Sequence, residues 1–173
     1  MNNKSFETLT ETMNYLEQTH HAMVRNFLET IKELVADIMP GTDQNLQQQV
    51  FQSLAELFNV LRMELDHHLM MEEEIVFPLI RNMETAKQNG SLPSARKLLG
   101  LYVAHLINEH EMILQVLSQI RQMSGNYRPA LNSPPKLNEF YDQLRLLHAD
   151  LNEHIQYENT FLFPKINELK AKE

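Results

Sequence analysis

Two stretches of this chain, His68-Leu69-Met70-Met71-Glu72 and His154-Ile155-Gln156-Tyr157-Glu158, share the spacing His-x-x-x-Glu. Each is followed at the same offset by Phe-Pro, as Phe77-Pro78 and Phe163-Pro164. Residues four apart on a helix sit one above the other on the same face. Each motif therefore presents an imidazole and a carboxylate to one point in space. Both motifs also continue an apolar stripe of helical period, where an ionisable group costs free energy unless it has a partner. A fold that accepts two such pairs must bring them together inside a helical core.

The surrounding pattern predicts four helices. Thr8 and Glu11 read as a capping box that opens a first helix near Leu9, and Pro40-Gly41 stops it after about Met39. Its predicted stripe is Leu9, Met13, Leu16, Met23, Phe27, Ile31, Leu34 and Ile38. A second helix starts near Asp43 and carries Leu54, Phe58, Leu61, Leu65, His68, Glu72, Ile75 and Leu79, ending at Asn89-Gly90. Pro78 lacks an N–H and should kink this helix or interrupt its hydrogen bonding. Ser91-Leu92-Pro93-Ser94 opens the third, with Leu99, Val103, Leu106, His110, Ile113, Leu117 and Ile120, and Ser124-Gly125-Asn126 closes it. The fourth begins with Ser133 as N-cap and Pro134 at the first helical position. It carries Leu137, Phe140, Leu144, Leu147, Leu151, His154, Glu158 and Phe161. No stretch alternates with period two. The expectation is an all-α, antiparallel up-down-up-down four-helix bundle occupying residues 1–173 as one domain.

The chain is also a rough internal duplication, each half a helical hairpin with one lone His followed by one His-x-x-x-Glu pair. Counting residues from the turns, the heights of His21, His68, His110 and His154 differ by at most about six residues, on the order of 9 Å at ~1.5 Å rise per residue. The four can share one layer. A single His on an apolar stripe is usually a hydrogen-bonded core residue. The number of them points to coordination here: His68, His110 and His154 lie on three stripes, Glu72 and Glu158 follow one turn later, and the first helix offers His20-His21. Periodicity slightly favours His20, in line with Met13, Leu16, Met23 and Phe27. His21 fits a second stripe through Val24, Leu28, Ile31, Val35 and Ile38. Pattern alone leaves the choice open. His67, His105 and His148 are expected at the surface or as supporting groups, Glu73 and Glu74 on a solvated face, and Glu64 or Glu109 as groups that orient an imidazole N–H.

With 0 Cys, any metal is held by nitrogen and oxygen. Four imidazoles and two carboxylates exceed what a tetrahedral zinc needs. Shared between two ions they give each about two His, with room for a bridging oxide or hydroxide and an open position, which suits iron, with manganese next. The ferritin-like di-metal bundles use Glu-x-x-His, a different order and spacing. A net charge of −8 argues against nucleic acid or an anionic membrane as partner. The first residues lack the apolar core of a signal peptide, and no run has the length of a membrane span, so a cytoplasmic protein is expected.

These residues resemble the hemerythrin-like superfamily and are most similar to the di-iron domain of the iron–sulfur cluster repair proteins. The resemblance runs through Thr19-His20-His21-Ala22, His68-x-x-x-Glu72-Glu73 with Phe77-Pro78, Asn108-Glu109-His110-Glu111, and His154-x-x-x-Glu158-Asn159 with Leu162-Phe163-Pro164. It implies His21, the second of its pair, with His68, His110 and His154 as terminal ligands, and Glu72 and Glu158 bridging two iron ions. Oxygen-carrying hemerythrins have a His-x-x-x-His pair on the third helix and an Asp ligand on the fourth. Here Leu106 and Leu114 stand four residues either side of His110, which points away from reversible oxygen carriage. Full-length repair proteins also carry a small Cys-containing N-terminal domain, so steps that need those thiols are expected to lie outside this polypeptide. The implied function is a di-iron protein of nitrosative and oxidative stress, reacting with nitric oxide or oxygen species, for example by nitric oxide reduction, or donating iron to iron–sulfur proteins. The alternative is binding or sensing of oxygen, nitric oxide or iron without turnover. Monomer and dimer are both compatible with the sequence.

Overall fold

The computed structural model describes residues 6–39, 46–88 and 96–171. Four long helices run through it. Helix α1 is Leu9–Leu16, a widened π turn at Glu17–His21, and Ala22–Ile38. Helix α2 is Leu46–Met71, a π turn at Glu72–Val76, and Phe77–Gln88. Helix α3 is the uninterrupted Arg96–Met123. Helix α4 is Pro135–Tyr157, a π turn at Glu158–Leu162, and Phe163–Ala171. They form the expected up-down-up-down bundle, with α1 against α4 and α2 against α3 as well as each sequential pair. Among the described residues there is no strand, and no helix is long and apolar enough to cross a membrane.

Local chemistry sets the helix ends. The Thr8 hydroxyl accepts from the Glu11 N–H while Glu11 accepts from the Thr8 N–H, the reciprocal box read from the sequence. Helix α4 opens one residue later than expected. Pro134 is its cap and Pro135 its first residue, and the Ser133 hydroxyl donates to the Ala130 carbonyl instead of capping the helix. After α3 the chain passes through left-handed backbone at Gly125, Asn126 and Tyr127, and the Asn126 N–H returns to the Arg121 carbonyl at 2.8 Å. The expected helix boundaries at Pro40-Gly41, Asp43, Asn89-Gly90 and Ser91–Ser94 lie outside the described residues.

The apolar core is in two parts. The larger contains Val24, Leu28, Phe58, Leu65, Leu117, Phe140 and Leu147 among others, and the smaller contains Leu9, Met13, Leu16, Phe77, Ile80, Val103, Leu106 and Phe163. A layer of buried polar residues separates them: His20, His21, His68, Glu72, Glu109, His110, Asp150, His154 and Glu158. All three π turns among the described residues lie at this layer.

Those turns explain where the predicted stripes fail. A π turn closes with an i to i−5 hydrogen bond, so it holds one residue more than an α turn and advances the helix face by one position. The Phe77 N–H reaches the Glu72 carbonyl and the Phe163 N–H the Glu158 carbonyl. Each is followed by a proline that has no N–H to continue the ladder. Within the turns and after them, the expected Ile75 and Leu79 yield the core to Val76 and Ile80, and Phe161 yields it to Leu162. In α1, Met23 is 41% exposed while Val24 and Leu28 are buried. The stripe Leu9, Met13, Leu16 therefore continues as His21, Val24, Leu28, Ile31. Helix α3 has no π turn, and its predicted stripe from Leu99 to Ile120 is buried throughout.

Candidate metal centre

At the polar layer, six side chains converge from all four helices. They form two groups that share both carboxylates: His21, His154, Glu72 and Glu158, and His68, His110, Glu72 and Glu158. Glu72 turns Oε2 toward His21 Nε2 at 3.3 Å and Oε1 toward His68 Nε2 at 3.7 Å. Glu158 turns Oε1 toward His154 Nε2 at 3.0 Å and Oε2 toward His110 Nε2 at 3.1 Å. The Nε2 atoms of His68 and His110 lie 3.1 Å apart. All six side chains are at most 1% exposed.

This donor set suits cations. His21 Nε2, both Glu72 oxygens and Glu158 Oε2 are buried without a hydrogen-bond partner among the described residues. Buried polar atoms left in that state cost roughly 1–3 kcal/mol each. Nitrogen and oxygen lone pairs aimed at two common points are what bound metal ions would satisfy.

Three of the four imidazoles are held from behind. His21 Nδ1 lies 2.7 Å from Glu73 Oε1, and Arg25 donates to both Glu73 oxygens at 2.9 and 2.8 Å. His68 Nδ1 lies 3.0 Å from Glu109 Oε2, and His110 Nδ1 lies 3.1 Å from Asn159 Oδ1. Such contacts fix the ring orientation and the nitrogen offered to a metal. His154 Nδ1 has no hydrogen-bond partner among the described residues. His20 stacks on the His154 ring instead, with centroids 5.4 Å apart at 15°, and places its own Nδ1 2.9 Å from Asp150 Oδ1. The π turn points His21 inward at 0% exposure and His20 at Asp150.

One expectation needs correcting: Glu73, expected on a solvated face, is the partner of His21. Glu109 takes the expected supporting role, against His68. Asn159 and Asp150 were not anticipated, although the duplication carried a signal for Asn159. Glu73 follows the first motif and Asn159 the second, and each holds the lone His of its own hairpin.

Electrostatics follow from the burial. Burial alone would lower the His21 pKa, but Glu72 and Glu73 outweigh it and raise it to about 9. His21 and Arg25 in turn bring Glu73 down to about 2 against its partial burial. Burial pushes the Glu158 carboxyl up, yet His154 and His110 hold it well below the usual range. A pH dependence is expected in protein freed of metal by a chelator. The folded state keeps a proton on His21 up to about pH 9 that the unfolded chain releases at its ordinary value of 6.5. Folded stability from this group is therefore complete below 6.5 and is lost as pH rises through about 9. Urea midpoints should fall across that window, and Glu73→Gln should flatten the fall. A midpoint independent of pH there would contradict the assignment.

A family model described as the hemerythrin HHE cation binding domain matches residues 12–97 and 101–173. The chain is similar to curated proteins named iron–sulfur cluster repair protein YtfE. It is 33% identical to the one from Edwardsiella ictaluri over 112 residues, and 28% identical over the same length to those from Citrobacter koseri and Escherichia coli O81. Each match takes in 65% of this chain and 46% of the relative, so the chain spans about half the length of the curated relatives it matches.

Proposed function

The chain belongs to the hemerythrin HHE cation-binding family, and from that premise we propose that it binds two iron ions in the polar layer and uses them on small diatomic ligands. The observation that carries this reading is the division of each carboxylate between two imidazole pairs. His21 and His154 would hold one ion and His68 and His110 the other, with Glu72 and Glu158 giving one oxygen to each. Bound iron in this setting supplies electrons and a Lewis-acid position to nitric oxide or oxygen. Everything else is done by the protein. Glu73 with Arg25, Glu109 and Asn159 hold the imidazoles in place. The Phe77 ring stacks on His21 at 5.8 Å and the Phe163 ring on His110 at 5.7 Å, which keeps water from that side. Leu106 is buried and Leu114 packs on the core, so no fifth imidazole comes from α3. That favours reaction with a diatomic over its storage.

The relatives' name supports a role in iron–sulfur cluster repair, such as iron supply to damaged clusters; the nitric oxide chemistry and the setting of nitrosative and oxidative stress are the further part of this proposal. Anaerobic addition of nitric oxide to the reduced, iron-loaded protein tests the reading. Release of nitrous oxide supports turnover. Uptake followed by unchanged return on purging supports binding or sensing without turnover. If nitric oxide is not taken up at all, the diatomic reading is wrong.

A further inference from the structure

A third His-x-x-x-Glu pair lies on α3, with His105 exposed and Glu109 at the outer side of the buried layer. His105 Nε2 is 3.2 Å from Glu109 Oε1, and His67 Nδ1, arriving from α2, is 2.8 Å from the same oxygen. The two rings meet edge to face with centroids 6.3 Å apart. One ligand atom from each of the three residues falls within 4.8 Å of the others. Both imidazoles are about half exposed, at 49% and 52%, whereas the carboxylate is 8% exposed.

We propose that His67, His105 and Glu109 form a separate surface site for a divalent first-row transition ion. The set is two imidazoles and one carboxylate, a combination that binds such ions facially and leaves further positions for water. An i, i+4 pair on one helix holds two of the donors in place before any ion arrives. The third comes from a helix packed alongside, so little ordering is required. Entry of an ion needs a tautomer change and a turn of each ring toward the ion. Each ring moves its proton from the nitrogen facing Glu109 to its other nitrogen, and both rings are open enough to water for that exchange. Glu109 is already anchored, because its other oxygen, Oε2, holds His68 Nδ1 at 3.0 Å. The site is therefore one carboxylate away from the buried centre but shares no imidazole with it.

Zinc titration of the iron-loaded protein, followed calorimetrically and by metal analysis after desalting, tests the assignment. Wild type is expected to bind one zinc per chain at this site. His105→Ala and His67→Ala should each weaken that binding by at least the ~10–100-fold that loss of an outer-shell partner costs, with iron content and helical circular dichroism unchanged. His148→Gln, whose ring meets the Tyr127 hydroxyl elsewhere on the bundle, should leave zinc binding as in wild type. Zinc binding undiminished in both His variants, or no zinc bound by wild type beyond what they bind, overturns the site. The readout is a difference between proteins, so it stands even if the buried centre holds something other than two irons.

Discussion

Replacing Glu158 by alanine is expected to reduce bound iron from two per chain to one or none, and Glu72→Ala should do the same. Each carboxylate faces two imidazoles, Glu72 those of His21 and His68, and Glu158 those of His110 and His154. Removing one therefore takes an oxygen donor from both positions at once. The loss is not replaced from nearby, because the other acids of the layer are engaged: Glu73 with His21 and Arg25, Glu109 with His67 and His68, and Asp150 with His20. Glu74→Ala, an exposed change next to the motif, is the control and should keep two. Iron is counted by elemental analysis on protein shown to be folded by circular dichroism. Two irons retained in both Glu72→Ala and Glu158→Ala would refute the shared-carboxylate centre.

Deleting a single residue from α1 should have opposite outcomes depending on where it is taken. Excision of the exposed Asn26 turns the helix beyond it by about 100°, moving Leu28, Ile31 and Leu34 out of the core, where they are 2%, 0% and 7% exposed. Each is worth roughly 1.5–3 kcal/mol of burial, so the change approaches the whole ~5–15 kcal/mol stability of a typical domain. Excision of Thr19 removes the extra residue of the π turn. Leu16 and His21 then stand four apart, the ordinary α spacing, and the faces on either side stay in line. The Thr19 deletion should remain folded with a urea midpoint near that of wild type, while the Asn26 deletion unfolds. Equal loss in both would mean that the π turn does not act as the phase correction described above.

The bundle was largely legible from the residues because helix formation and amphipathic spacing are local. The stripe of α3 was read correctly from end to end, since nothing interrupts its 3.6-residue period. The predicted stripes of α2 and α4 hold as far as their π turns and that of α1 regains the core at Ile31 and Leu34, while Met23, Ile75 and Phe161 are each expected one position away from the residue that is buried. A proline marks two of these turns, at Pro78 and Pro164. The turn at Glu17–His21 has no such mark. Local spacing therefore does not separate His21 from His20, and the backbone of the π turn turns only His21 toward Glu72 and Glu73.

By itself, the sequence determined the helices, their antiparallel order and five of the six inward-facing groups, all but His21, because helical spacing lies within a single helix and needs no partner. Tertiary structure decided which oxygen meets which nitrogen. It gave His21 to Glu73, His68 to Glu109 and His110 to Asn159, left His154 against the ring of His20, and brought the half-exposed His67 and His105 to the other oxygen of Glu109. Those outcomes depend on the relative height and rotation of packed helices. A one-residue π turn changes the rotation by a whole face, and no local periodicity encodes the result.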